Sequence, residues 1–268
     1  MGLFELTQLV IIAFYFMGAL LFLTGLTTRN DRLKRISMYL AVGGFALHTA
    51  DIAALLIQDV SVLQGGNFYF STLAWCVLLI YFFLWWKLRL EFLALTALPL
   101  ALLLFAGSMA LGGIKVSMPR ELTLLFFGLH IGTLVVTMGM MTMAFGAGLA
   151  FIHYNRKIKT KAGLASLGKD TPSLNMFDRV NRWAVLLGFP LYTLGLFSSY
   201  VWYWISPGKQ FSWDIMNLSS LAVWFVFAFL FHQRLVLGWR GRKPAIAAVW
   251  VFIGLAISLI HHAIMFRS

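Results

Sequence analysis

The side chains of this sequence best suited to chemistry are its six histidines, His48, His130, His153, His232, His261 and His262. An imidazole nitrogen can ligate a metal or carry a proton. His48 lies near the middle of an apolar run, with Asp51 three residues on and therefore on the same face of a helix. Ionisable groups at that depth are costly to bury in a membrane, which makes each a candidate site; the plainer use of such a histidine is a hydrogen bond that packs two helices. His130 lies near the start of another long apolar run, and His261 and His262 close the last one. Haem iron takes two imidazoles from opposite sides of its macrocycle, and facing helices can hold them at that spacing. His130 and one of His261 or His262 are thus candidate axial ligands. Neighbours on a helix point about 100° apart, so only one of the adjacent pair faces a given site. Gly254 and Ser258 share the stripe of His261, which favours His261 as the metal ligand. His232 and His153 each end an apolar run, where a histidine is commonly solvated.

A second group is the tryptophan-rich segment VWYWISPGKQFSWD, with Trp202, Tyr203, Trp204, Phe211, Trp213 and Asp214. Such residues most often form an interfacial belt. A flat macrocycle, however, needs an aromatic shelf of the kind Trp204 and Trp213 offer, and Asp214 can orient a loop donor or an imidazole. The sequence holds no HExxH, no P-loop, no glycine-rich dinucleotide loop and no Ser/His/Asp set, so no enzyme activity is expected of the chain by itself. Cys76 is the sole cysteine. Without a CxxCH attachment site, any haem is expected to be non-covalent haem b.

The elements that must position these residues follow from composition. The chain has 268 residues, 61% hydrophobic and 11% charged, with a mean hydropathy of +0.86. A soluble domain carries roughly 25% charged residues, and a spanning helix needs about 20 apolar ones. The sequence predicts an all-α polytopic transmembrane bundle of about eight spans: Phe4 to Leu26, Ile36 to Ile57, Phe68 to Trp86, Phe92 to Leu111, Leu122 to Phe151, Trp183 to Ile205, Ile215 to Phe231 and Ala245 to Met265. The fifth exceeds the bilayer and should tilt or protrude. The apolar run after Phe4 is too long for a signal peptide and reads as a retained first helix. The net charge of +12 sits in short clusters between spans, a topology signal and not a nucleic-acid face. Seventeen of the 21 Lys and Arg residues fall in one alternating set of connections and four, Lys115, Arg120, Lys209 and Arg267, in the other. Both termini are therefore expected outside. The longest loop, Tyr154 to Arg182, carries seven basic residues suited to anionic lipid headgroups. Residues 1–268 read as one membrane domain.

The order of these motifs resembles the CcsA/HemX-like cytochrome c assembly family. The resemblance rests on LHTADIAALL followed by GGNFYFSTLAW, on LHIG at His130, on FSWD ending at Asp214, and on FHQRLVLGWRGRK from Phe231 to Lys243. It implies that His48 and His232 form a membrane-embedded pair on haem's path inward. His130 and one of His261 or His262 would flank an externally presented haem, with Trp213 and Asp214 in the loop beneath it. Pro207 and Phe211 stand where the family has tryptophans, and the glutamate usual before the AW pair is absent, features similar to the short HemX-type branch. The expected function is haem handling for cytochrome c biogenesis in a bacterial inner membrane. Expected partners are haem, membrane lipid, and a second cytochrome c assembly protein or a haem-biosynthesis enzyme; the chain could also be a subunit of a haem lyase system. The alternatives are a membrane regulator of tetrapyrrole synthesis and, with no inverted repeat visible, a transporter or quinone-linked redox protein.

Overall fold

The computed structural model describes residues 2–110, 124–160, 172–205 and 213–265, and among them every regular element is helical. Eight helices are long and apolar enough to cross a membrane. They are α1 (Leu3–Thr27), α2 (Asp31–Gln58), α3 (Gly66–Leu88), α4 (Ala94–Ala110), α5 (Thr133–Lys159), α6 (Leu174–Ile205), α7 (Ile215–Leu235) and α8 (Arg242–Met265). The protein is a multi-pass membrane protein of all-α architecture. In a bilayer core only helices and closed barrels satisfy every backbone N–H and C=O, and continuous apolar runs of this length suit the helix.

The helices gather into two compact units, residues 1–127 and residues 128–266. In the first, α1 packs on α2 and α4, and α3 on α4. Tyr15, Phe22, Tyr81 and Phe105 are fully or nearly fully buried there, while Phe16, Leu20 and Leu23 of α1 point outward, as lipid-facing residues do. Asn30 starts α2 by accepting hydrogen bonds from the N–H groups of Arg32 (3.0 Å) and Leu33 (3.4 Å), which satisfies two of the four orphan donors of a helix start. In the second unit α5 packs on α6 and α8, and α8 on α7.

Two spans depart from the sequence reading. The fifth is a continuous helical run, Leu124–Lys159, of 36 residues. At ~1.5 Å per residue that is about 54 Å, well beyond a hydrocarbon layer of roughly 30 Å. The sixth begins at Leu174, ahead of the expected Trp183. Its added turns alternate buried Phe177, Val180 and Asn181 with exposed Arg179 and Arg182, so the extension is amphipathic and escapes a search for continuous apolar runs. Phe177 stacks on Tyr154 of α5 at 5.6 Å between ring centres. The expected basic loop is thereby shortened from both ends. Lys161 and Lys169 lie outside the described residues, as do Lys115, Arg120, Pro207, Lys209, Phe211 and Arg267.

Candidate functional site

His130 sits in a π-helical turn, Phe127–Gly132, that leads directly into α5. Such turns carry i→i+5 bonds, are uncommon, and recur at functional positions. The His130 Nδ1 lies 2.8 Å from the carbonyl oxygen of Gly195 on α6. Because a carbonyl only accepts, Nδ1 carries the proton and Nε2 carries the lone pair, the form in which an imidazole ligates iron. Ser198 reinforces the contact by donating its hydroxyl to the same carbonyl at 2.7 Å. A side chain at position 195 would force its neighbours to move: a Cβ there would stand 2.6 Å from Leu134 Cδ2 and 2.9 Å from Thr133 Oγ1. Gly195 is thus a site residue that reading the sequence missed. Its only signal was a glycine inside an apolar run, which is common in membrane helices for packing alone.

His262, one turn from the end of α8, repeats the arrangement with its Nδ1 2.7 Å from the Ser258 carbonyl oxygen. It too therefore presents its lone pair on Nε2. His130 and His262 lie within electrostatic range of one another, and His262 within range of Asp214. The Ser258 hydroxyl lies 3.4 Å from that of Ser220 on α7. Asp214 caps α7, accepting from the Asn217 N–H at 2.8 Å. Beside it Trp213 is 70% exposed, and Trp204 at the end of α6 is 89% exposed. Both indoles stand clear of the packed interior, as an interfacial belt and an aromatic shelf equally require. His261 is half-buried on the neighbouring face of α8.

His48 is set differently, in the first unit. It is completely buried, with the Tyr15 hydroxyl 3.0 Å from Nδ1, the Ser71 hydroxyl 2.8 Å from Nε2, and the Phe105 ring 4.4 Å away, centre to centre. Both ring nitrogens are thus engaged, and this is the helix-packing geometry weighed against a ligand role. Asp51 does not meet His48; it borders a cavity described further below.

His232 lies exposed in the last turn of α7, and His153 is exposed near the end of α5. Two residues on from His232, Arg234 is buried, although it belongs to the basic residues counted in the connections. Arg234 Nη1 donates to Asp178 Oδ1 at 2.9 Å and to the Trp239 carbonyl at 3.0 Å, and Nη2 donates to Asn181. Asp178 Oδ1 also accepts from the Gly241 N–H at 2.9 Å. Gly238 (φ 61°) and Gly241 (φ 79°) supply the left-handed turns that wrap the chain around this pair. The GWRGRK stretch is thus a structural latch joining α6 to the α7–α8 turn.

Eight apolar helices among the described residues define the class as a polytopic membrane protein, in which His130 and His262 each direct Nδ1 to a backbone carbonyl. The chain belongs to the family described as "Cytochrome C assembly protein", which matches residues 66–265. His48 and the motif around it precede that match. Among similar proteins, the "Cytochrome c biogenesis protein CcsA" of Mesostigma viride is 24% identical over 212 residues, covering 69% of this chain and 67% of that protein. Its namesake from Microcystis aeruginosa is 38% identical over 95 residues, covering 35% of this chain and 29% of that protein. The one from Chlamydomonas reinhardtii is 40% identical over 80 residues, covering 30% and 23% respectively. The chain thus spans less than a third of the length of these last two relatives.

Proposed function

We propose that this protein handles haem b for cytochrome c biogenesis in a bacterial cytoplasmic membrane, holding it at the outer end of the second unit between His130 and His262. The observation that carries the reading is the pair of Nδ1-to-carbonyl contacts, at Gly195 and Ser258, which orients both imidazoles with the lone pair on Nε2. Haem supplies an iron whose two axial positions can each take such a donor, so the residues present fit the group. The stripe argument favoured His261; the hydrogen bond to Ser258 supports His262 in its place. In this reading Trp213 and Trp204 give the macrocycle an apolar shelf, and Asp214 favours the charge of an iron-bound imidazole. A second assembly protein would receive the haem. The changes in the tryptophan motif support a HemX-type branch.

The test is the absorption spectrum of detergent-purified protein. Replacing His130 or His262 by alanine removes one axial donor, so the Soret and α bands should shift even where haem is retained, and added imidazole should restore them. His153→Ala should leave the spectrum unchanged. A purified parent protein with no haem spectrum after haem loading, or a spectrum lost in His153→Ala and kept in both outer variants, defeats the reading.

A further inference from the structure

Within the first unit, the start of α1, the end of α2, the start of α3 and the end of α4 enclose a cavity of about 360 Å³. Asp51, Glu5, Asn67 and Ser71 line it together with the rings of Phe4 and Phe68. Asp51 is only 6% exposed and its carboxylate meets no donor among the described residues, yet it borders the cavity. Glu5 accepts a hydrogen bond at one oxygen, from the Gly2 N–H at 3.1 Å. The lining contains two carboxylates and no Lys, Arg or His. A buried carboxylate without a donor is costly, and with a second carboxylate beside it a partner that both donates and carries positive charge satisfies it best.

The chemistry narrows that partner. Haem is excluded, because its propionates would face two carboxylates with no cation to pair them. A bare metal ion is less well served, since among the described residues no three His, Cys, Asp or Glu side chains gather, and the cavity is far larger than an ion's first shell. An ammonium group offers three N–H donors, suits a carboxylate pair with neighbouring amide and hydroxyl oxygens, and is attracted by ring faces. We propose that this cavity binds a primary ammonium group on a small organic carrier, with Asp51 and Glu5 as its anchors and Phe4 and Phe68 against the carrier. The cavity lies at the helix ends, so the group can come from an aminophospholipid headgroup or from a soluble amine. The site is independent of the haem reading.

The experiment uses the full chain purified in detergent, with calorimetric titration of ethanolamine. A parallel arm uses native mass spectrometry after incubation with vesicles of phosphatidylethanolamine mixed equally with phosphatidylglycerol. A lipid source predicts retention of phosphatidylethanolamine over phosphatidylglycerol; a soluble source predicts ethanolamine binding without lipid. In either arm Asp51→Asn should weaken binding by about tenfold or more, the worth of one charge-assisted hydrogen bond, and Glu5→Gln should weaken it less. His153→Ala should leave binding unchanged. Glu5, on the exposed side of the cavity, keeps the test usable if Asp51→Asn misfolds. The proposal is overturned if neither amine binds, if sodium competes equally with ethanolamine, or if the folded carboxamide variants bind as the parent does.

Discussion

An imidazole's role in a membrane depends on what its two nitrogens meet, and His48 and His262 show the two cases. His48 is clasped between the hydroxyls of Tyr15 and Ser71. Its removal leaves two buried hydroxyls without a partner and a void beside Phe105, so His48→Ala should lower the unfolding free energy by about 2 kcal/mol. Thermal unfolding in detergent measures this, and a variant that melts like the parent but has lost its haem would instead support the role implied by resemblance. At the other end, His262 ties Nδ1 to a carbonyl within its own helix. His262→Ala should therefore shift the haem spectrum and His261→Ala should not; a shift in His261→Ala alone would return the ligand role to the residue favoured by its helical stripe. Residue types and depths along the spans were readable in the sequence. Tautomers were not, because they depend on carbonyls such as that of Gly195, sixty-five positions away in the chain.

At the scale of elements, periodicity located every span but misjudged where polar residues face inward. Asp178, Asn181 and Arg234 look like loop residues in a hydropathy reading, yet the pair Asp178–Arg234 is nearly excluded from solvent, with side-chain exposures of 12% and 0%. Removing one partner of a buried ion pair leaves the other uncompensated. Arg234→Met should cost about 3 kcal/mol or more, and Asp178→Leu combined with Arg234→Met should recover a large part of it. A double variant no more stable than the single one would show that the guanidinium's bonds to Asn181 and Trp239 matter more than its charge. The contact between α5 and α6 can be probed at Gly195, where any Cβ collides with Leu134. Gly195→Val should push the helices apart, lower the melting temperature and shift the haem spectrum together. Leu134→Ala in the same chain opens room for the new side chain and should restore part of both; recovery of neither would mean that position 195 acts other than through this contact.

For the whole molecule, eight spans are found among the described residues, and the split of basic residues predicts that both ends of the chain lie outside. The seventeen-to-four split of Lys and Arg was legible without coordinates. Arg234 is buried in the latch and carries little topology information, but its loss from the larger set barely alters the imbalance. Several remaining members sit at helix ends, where the rule expects cytoplasmic charge: Arg29 and Arg89 hold left-handed positions where α1 and α3 stop, Arg156 and Lys157 occupy the last turns of α5, and Lys243 opens α8. Asp31 pairs with Lys34 at 2.8 Å, yet acidic residues weigh little in this rule, so the start of α2 is still expected on the cytoplasmic side. Alkaline phosphatase fused after Lys209 should accordingly be active, since that enzyme folds only where disulfides form, and fusions after Lys161 or Lys243 should be inactive. Green fluorescent protein at the same three positions should give the reciprocal pattern. The orientation also decides whether the proposed haem site is of use to an exported cytochrome, because the π turn of α5 and the His262 end of α8 face outward only if Lys209 does. A fluorescent, phosphatase-inactive fusion at Lys209 would invert the protein and place both histidines at the cytoplasmic surface, where an exported apocytochrome could not reach them.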